Sequence, residues 1–162
     1  MEKIMIRFNS DYTEGCHPAI LRRLEETNNG TRQAGYGEDE YCREAAERIK
    51  AVCEAPDANV HFLVGGTQTN VTVIASALRP YQGAITATTG HINVHETGAL
   101  EACGYKCLTI DTPNGKLTAE QIAAYTDAHF ADESFEHMVQ PKMVYISNPT
   151  EIGTIYKKAE LE

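Results

Sequence analysis

A glycine pair followed by threonine, Gly65-Gly66-Thr67, stands where the sequence changes from a β-rich run to a helical pattern. The run before it, Val60 to Val64, predicts a strand, and the apolar residues after it recur at helical spacing: Val71, Ile74, Ala75 and Leu78. The first N–H groups of a helix have no internal partner and face the positive end of its dipole, so this turn can bind an anion such as phosphate. An ordinary turn, capped by Thr67 or Thr69 with nothing bound, fits the same residues.

Two further residues with useful chemistry follow the next predicted strand. His91 comes directly after Gly90, where an imidazole can stack on a flat cofactor or move protons, although a loop histidine bonded to the backbone is an alternative. Glu96 can hold a hydroxyl or orient a water, but its spacing from Asn93 also fits a helix cap. His91 and His95 are four residues apart, yet no third ligand is evident, which argues against zinc.

The elements that must position these residues alternate along the chain. Strands are predicted at Val60–Val64, Ala84–Thr89, Tyr105–Ile110 and Lys142–Ser147, with helical patterns before, between and after them. Pro18 suits the first turn of a helix with an apolar face, Asp39 can cap the next helix, and Thr118-x-x-Gln121 is a capping box. This order predicts an α/β fold with a mostly parallel sheet.

Bulk composition excludes several classes of protein. The chain has 162 residues and a formal net charge of −9, which argues against nucleic acid or an anionic membrane as a partner. No apolar run is long enough to span a bilayer, and the first residues lack the apolar core of a signal peptide. The five cysteines include no Cys-x-x-Cys, so reduced thiols and a cytoplasmic location are expected.

The pattern of the last residues bears on whether the domain ends where the chain ends. Tyr156 to Glu162 has the pattern of the first turns of a helix, with no stop signal. We therefore expect the chain to end inside a domain. The predicted organisation is an N-terminal segment and helix at 1–30, followed at 31–162 by the amino-terminal part of a larger domain.

Five stretches, taken in order, resemble one family. They are Phe8–Tyr12 (FNSDY), Gly35–Asp39 (GYGED), Phe62–Asn70 (FLVGGTQTN), Gly90–Gly98 (GHINVHETG) and Val144–Tyr156 (VYISNPTEIGTIY). Together they are similar to the threonine aldolases and β-eliminating lyases, which use pyridoxal 5'-phosphate (PLP) and have the aspartate-aminotransferase fold, type I. The resemblance implies that the chain is the amino-terminal part of the PLP-binding large domain.

The resemblance also implies roles for individual residues. Gly66 and Thr67 match the turn that binds the cofactor phosphate, and His91 matches the histidine that stacks on the pyridine ring. Glu96 matches an acidic residue near the cofactor and the catalytic water. Ser10 matches a contact to the substrate carboxylate.

The loop containing Tyr36 resembles a region that completes the active site at a dimer interface, so a homodimer or homotetramer is expected. In the family, the lysine that forms the Schiff base lies downstream of the position that Glu162 occupies in this chain. None of the seven lysines of this chain occupies that motif, and we expect no covalent PLP on it.

The implied reaction is cleavage of a β-hydroxy-α-amino acid, such as threonine, to glycine and an aldehyde. The base that removes the hydroxyl proton is either His91 or a water held by Glu96. Two alternatives remain open: a β-eliminating amino-acid lyase, and a non-catalytic fragment, because the Schiff-base lysine is absent.

Overall fold

The computed structural model describes most of the chain, in two compact units. The described residues are 10, 12–28, 30 and 32–162. The units are Met1–Phe62 and Leu63–Glu162. The Phe8–Tyr12 stretch falls mostly outside the described residues, and the predicted division at residue 30 stays a prediction.

The first unit contains two helices, α1 (Pro18–Thr27) and α2 (Glu40–Val52). Pro18 begins α1 as predicted, and Asp39 caps α2, because its carboxylate accepts a hydrogen bond from the Cys42 N–H at 2.9 Å. The predicted buried face of α1 is wrong, since neither helix has a buried residue. Two short helices cannot enclose an apolar face by themselves.

The second unit contains all the described strands. Its elements in chain order are α3 (Gly66–Ala77), β1 (Gln82–Ala87), α4 (His91–Val94), α5 (Ala99–Ala102), β2 (Lys106–Ile110), α6 (Ala119–Ala131), a 3₁₀ turn (Phe135–His137), β3 (Gln140–Val144) and α7 (Lys158–Leu161). The capping box that begins α6 is confirmed. No helix of the described residues is long and apolar enough to cross a membrane.

The three strands form a parallel sheet in the order β2-β1-β3, which confirms the predicted α/β architecture. The central strand β1 is almost entirely buried and sends alternate side chains to the two faces. On one face Ala84 packs with Ile74 and Leu100, and on the other Ile85 packs with Leu108. Helices on both faces bury every residue of β1 from Gly83 to Ala87.

One local prediction of a strand is wrong. The stretch Val60–Val64 is not a strand, since the described strands pair only among themselves. After β1 the chain forms two short helices, α4 and α5, with a break between them. Thr97 and Gly98 have φ angles of 54° and 71° there, and this left-handed backbone cannot continue a helix.

Candidate functional site

The sheet places the loop that contains His91 at the carboxyl end of β1. A parallel sheet collects the loops that follow its strands at one edge, where α/β proteins bind ligands. Gly90, which begins α4, can only be glycine, because a Cβ there would lie 2.1 Å from the buried Thr86 Oγ1. This close contact brings His91 directly against the end of the strand.

The His91 ring lies between two carboxylates. Its Nδ1 is 2.9 Å from Glu151 Oε1, and its Nε2 is 3.9 Å from Glu96 Oε1. The second distance is too long for a direct hydrogen bond but close enough for an electrostatic interaction. The His91 side chain is 40% exposed, so it can reach a ligand while both ring nitrogens face acceptors.

Glu96 is a buried carboxylate that is hydrogen-bonded to helix α3 of the same unit. Its side chain is completely buried, and Oε1 accepts a hydrogen bond of 2.7 Å from Asn70 Nδ2 on α3. Its other oxygen, Oε2, has no hydrogen-bond partner among the described residues. The Glu96 side chain therefore does not cap a helix, and Asn70 connects it to the helix that Gly66 begins.

The phenol of Tyr145, which follows β3, lies beside this network. Its Oη is 3.5 Å from Asn70 Nδ2. Burial raises the pKa of Tyr145, and the neighbouring charges of Glu96 and Glu151 raise it further. Tyr145 therefore remains a neutral hydrogen-bonding group at physiological pH.

Helix α3 begins at Gly66, with Gly65 as its N-cap. The prediction that Thr67 or Thr69 caps the helix is wrong: Thr67 lies in the first turn, and the Thr69 hydroxyl donates to the Gly65 carbonyl at 2.9 Å. Gln68 accepts from the Val64 N–H instead, at 3.0 Å. Both glycines are exposed, and a Cβ on either would meet nothing within 4 Å, so a ligand can approach the N–H groups of this turn.

Comparison with known proteins identifies the family. The sequence model of the family described as Beta-eliminating lyase matches residues 7–162. The chain belongs to this family. Members of the β-eliminating lyase family are generally PLP-dependent.

Similar proteins of the family are threonine aldolases. The chain is 31% identical over 158 residues to the low specificity L-threonine aldolases of a Pseudomonas species and of Pseudomonas aeruginosa, covering 96% of this chain and 44% of theirs. A solved structure of Leishmania major threonine aldolase aligns with a TM-score of 0.82 and 51% identity, over 94% of this chain and 43% of that chain. The likeness confirms the predicted type I fold, and the chain spans less than half the length of these relatives.

The two remaining site residues predicted from the sequence, Ser10 and Tyr36, lie in the first unit. Ser10 is partly buried there, and Tyr36 is fully exposed in a left-handed conformation with a φ of 62°. Their contacts with substrate stay predictions. Within the part of the chain that the structure describes, no group of three His, Cys, Asp or Glu side chains is arranged to hold a metal ion.

Two residues of the site, Asn70 and Glu151, have no role predicted from the sequence. Asn70 is one helical turn after Gly66, so its spacing from the glycine turn was an available signal. Glu151 is 60 residues away from His91 in the chain, and only the fold brings it into contact.

Proposed function

We propose that the whole protein is a PLP-dependent aldolase that cleaves a β-hydroxy-α-amino acid of the threonine type to glycine and an aldehyde. The observation that carries the proposal is the half-exposed His91 ring held between two carboxylates at the carboxyl edge of the sheet. The threonine aldolase relatives support the reaction class.

Two independent features of the described residues fit the binding of PLP. The N-terminus of α3 is open, with no neighbouring atom where a Cβ of Gly65 or Gly66 would stand. The Glu96 Oε2 atom is buried without a partner among the described residues, which is typical of a site that a further polar group completes.

We infer that the backbone N–H groups of Gly66 and Thr67 would hold the phosphate of the cofactor, and that His91 would lie against its ring. When bound, PLP supplies the electron sink for the carbanion left by Cα–Cβ cleavage. The lysine that attaches the cofactor in this family would then be outside these 162 residues.

His91 is also the better placed of the two candidate bases. The proton to be removed is on the β-hydroxyl of the substrate, and the base must reach it within hydrogen-bonding distance. His91 is 40% exposed, whereas the Glu96 side chain is completely buried. Glu96 therefore supports the proposed role of His91 by placing negative charge near Nε2, where the proton arrives.

Two substitutions in the PLP-loaded intact protein test this assignment. His91→Phe keeps a flat ring against the cofactor but removes the base, so kcat for threonine cleavage should fall on the order of 10²-fold or more while PLP remains bound. Glu96→Gln keeps the size of the side chain, and its loss of kcat should be smaller. The opposite order would favour a water held by Glu96 as the base.

The product distinguishes the aldolase from the other members of the family. Glycine and an aldehyde in equal amounts are expected from the aldolase. Pyruvate and ammonia from the same substrate would instead identify a β-eliminating lyase. Substrate binding at Ser10 and Tyr36, and a homodimer or homotetramer, are part of the same proposal.

A further inference from the structure

We propose that Glu151 is the positioning residue for His91, fixing which ring nitrogen carries the proton, and that His95 holds the second oxygen of the same carboxylate. The catalytic consequence rests on the proposed function of His91 as the base. The arrangement of the three side chains does not.

Glu151 contacts both histidines at once. Its Oε1 is 2.9 Å from His91 Nδ1, and its Oε2 is 3.4 Å from His95 Nε2. The centroids of the two imidazole rings are 5.6 Å apart, and the rings are tilted by 51°, so they approach the carboxylate from different directions. The Glu151 side chain is only 22% exposed, which limits competition from water for its two oxygens.

These contacts determine the tautomer of His91. An ionised carboxylate only accepts hydrogen bonds, so a neutral His91 ring must place its proton on Nδ1 to bond with Glu151. The lone pair is then on Nε2. Nε2 is therefore the basic nitrogen of the neutral ring.

The loop that contains Glu151 is held in place by a set of hydrogen bonds. The N–H of Thr150 donates to the Thr154 carbonyl at 2.8 Å, and the Thr154 hydroxyl donates to the Asn114 carbonyl at 2.6 Å. The Tyr156 hydroxyl accepts from the Leu117 N–H at 2.6 Å. The turn is therefore fastened to the connection between β2 and α6, and Glu151 does not depend on its own flexible side chain alone for its position.

The same arrangement balances the charge that develops in the reaction. As the Cα–Cβ bond breaks, the β-hydroxyl proton moves to Nε2, the O–H electron pair becomes the second bond of the aldehyde carbonyl, and the Cα–Cβ pair stays on Cα, which then takes up a proton from water to give glycine. The ring then carries N–H groups on both nitrogens. Glu151 faces one of them and Glu96 faces the other, at 2.9 and 3.9 Å from the ring nitrogens.

Nitrogen-15 NMR of ring-labelled histidine in the intact protein tests the proposal directly. His91, assigned by its absence in His91→Phe, should show a protonated Nδ1 and an unprotonated Nε2 when the ring is neutral. Glu151→Leu removes the acceptor at similar size and should move the proton to Nε2, the nitrogen that free histidine prefers in water. Glu151→Gln retains an acceptor oxygen and should keep the proton on Nδ1.

Glu133→Gln is the matched control, because Glu133 is an exposed carboxylate of the same unit, after α6. It should leave the His91 signals unchanged. An Nε2–H ring in the unmodified protein, a ring that stays doubly protonated throughout, or a Glu151→Leu spectrum equal to that of the unmodified protein would overturn the proposal.

Activity measurements then separate this inference from the proposed function. If both hold, Glu151→Leu should lower kcat for threonine cleavage by about 10²- to 10⁴-fold with little change in KM, because the base is present but its proton is on the wrong nitrogen. An unmodified protein that yields no glycine and aldehyde contradicts the aldolase assignment alone, while the NMR result still decides the role of Glu151.

Discussion

Removal of the Asn70 amide tests the best-connected part of the site. Asn70→Leu keeps the volume of the side chain but deletes the donor to Glu96. The bond is 2.7 Å long and has a charged acceptor, and such bonds stabilise a folded protein by about 1.5–3 kcal/mol. Glu96 Oε2 already has no partner among the described residues, so both oxygens of a completely buried carboxylate would be left unpaired.

We therefore expect Asn70→Leu to lower the free energy of unfolding by about 3 kcal/mol, at the upper end of that range. For a chain of this length the loss corresponds to a decrease in Tm of about 6–12 °C. Urea denaturation at neutral pH and a thermal melt followed by circular dichroism are the measurements. Asn93→Leu is the matched control, because Asn93 is exposed and donates to a neutral carbonyl, that of Thr88, at 2.8 Å. Its cost should be about 1 kcal/mol or less.

A double-mutant cycle identifies the partner. Combining Asn70→Leu with Glu96→Leu should recover part of the loss, with a coupling energy of about 2 kcal/mol, because the double variant leaves no unpaired charge. Additive effects within about 0.5 kcal/mol would refute the reasoning, since the two side chains would then not depend on each other. An Asn70→Leu variant as stable as the unmodified protein would refute it equally.

Two further predictions concern the cofactor turn and the buried thiol. Gly66→Ala should change the free energy of unfolding by less than about 1 kcal/mol, because a Cβ there meets nothing within 4 Å. The same substitution should weaken PLP binding, measured by fluorescence titration, and Gly65→Ala is the comparison. Equal PLP affinity in both variants and in the unmodified protein would argue against a phosphate at this turn. Burial raises the pKa of Cys107 to about 12, so its thiol should stay unreactive toward a disulfide reagent at about pH 8 while the exposed Cys103 reacts. The pKa of the Cys107 thiol is near 9 in the unfolded chain, so between about pH 9 and 12 the unfolded chain binds fewer protons than the folded one. The contribution of Cys107 to the free energy of unfolding is therefore present below pH 9 and decreases across that range. A native Cys107 that reacts as fast as Cys103 would contradict both statements.

Local sequence patterns predicted the structure correctly where the stabilising interaction joins residues that are close together in the chain. Asp39 caps α2 and Thr118 begins α6 because each side chain reaches an N–H group only three residues away. The three strands of the sheet were predicted within a few residues because β-branched and aromatic residues recur in each predicted stretch. The failure at Val60–Val64 shows the limit of the pattern, because β-propensity cannot supply the neighbouring strand that a strand requires.

The sequence by itself therefore determined the α/β class, the glycine turn before α3 and the importance of His91 and Glu96 as candidates. Only the tertiary structure decided how those residues are connected. The Asn70 amide reaches Glu96 across 26 residues, and the Glu151 carboxylate reaches His91 across 60 residues. Contacts of that separation leave no periodicity in the chain, because they depend on where the parallel strands end and on how the loops that follow them fold back onto one edge of the sheet.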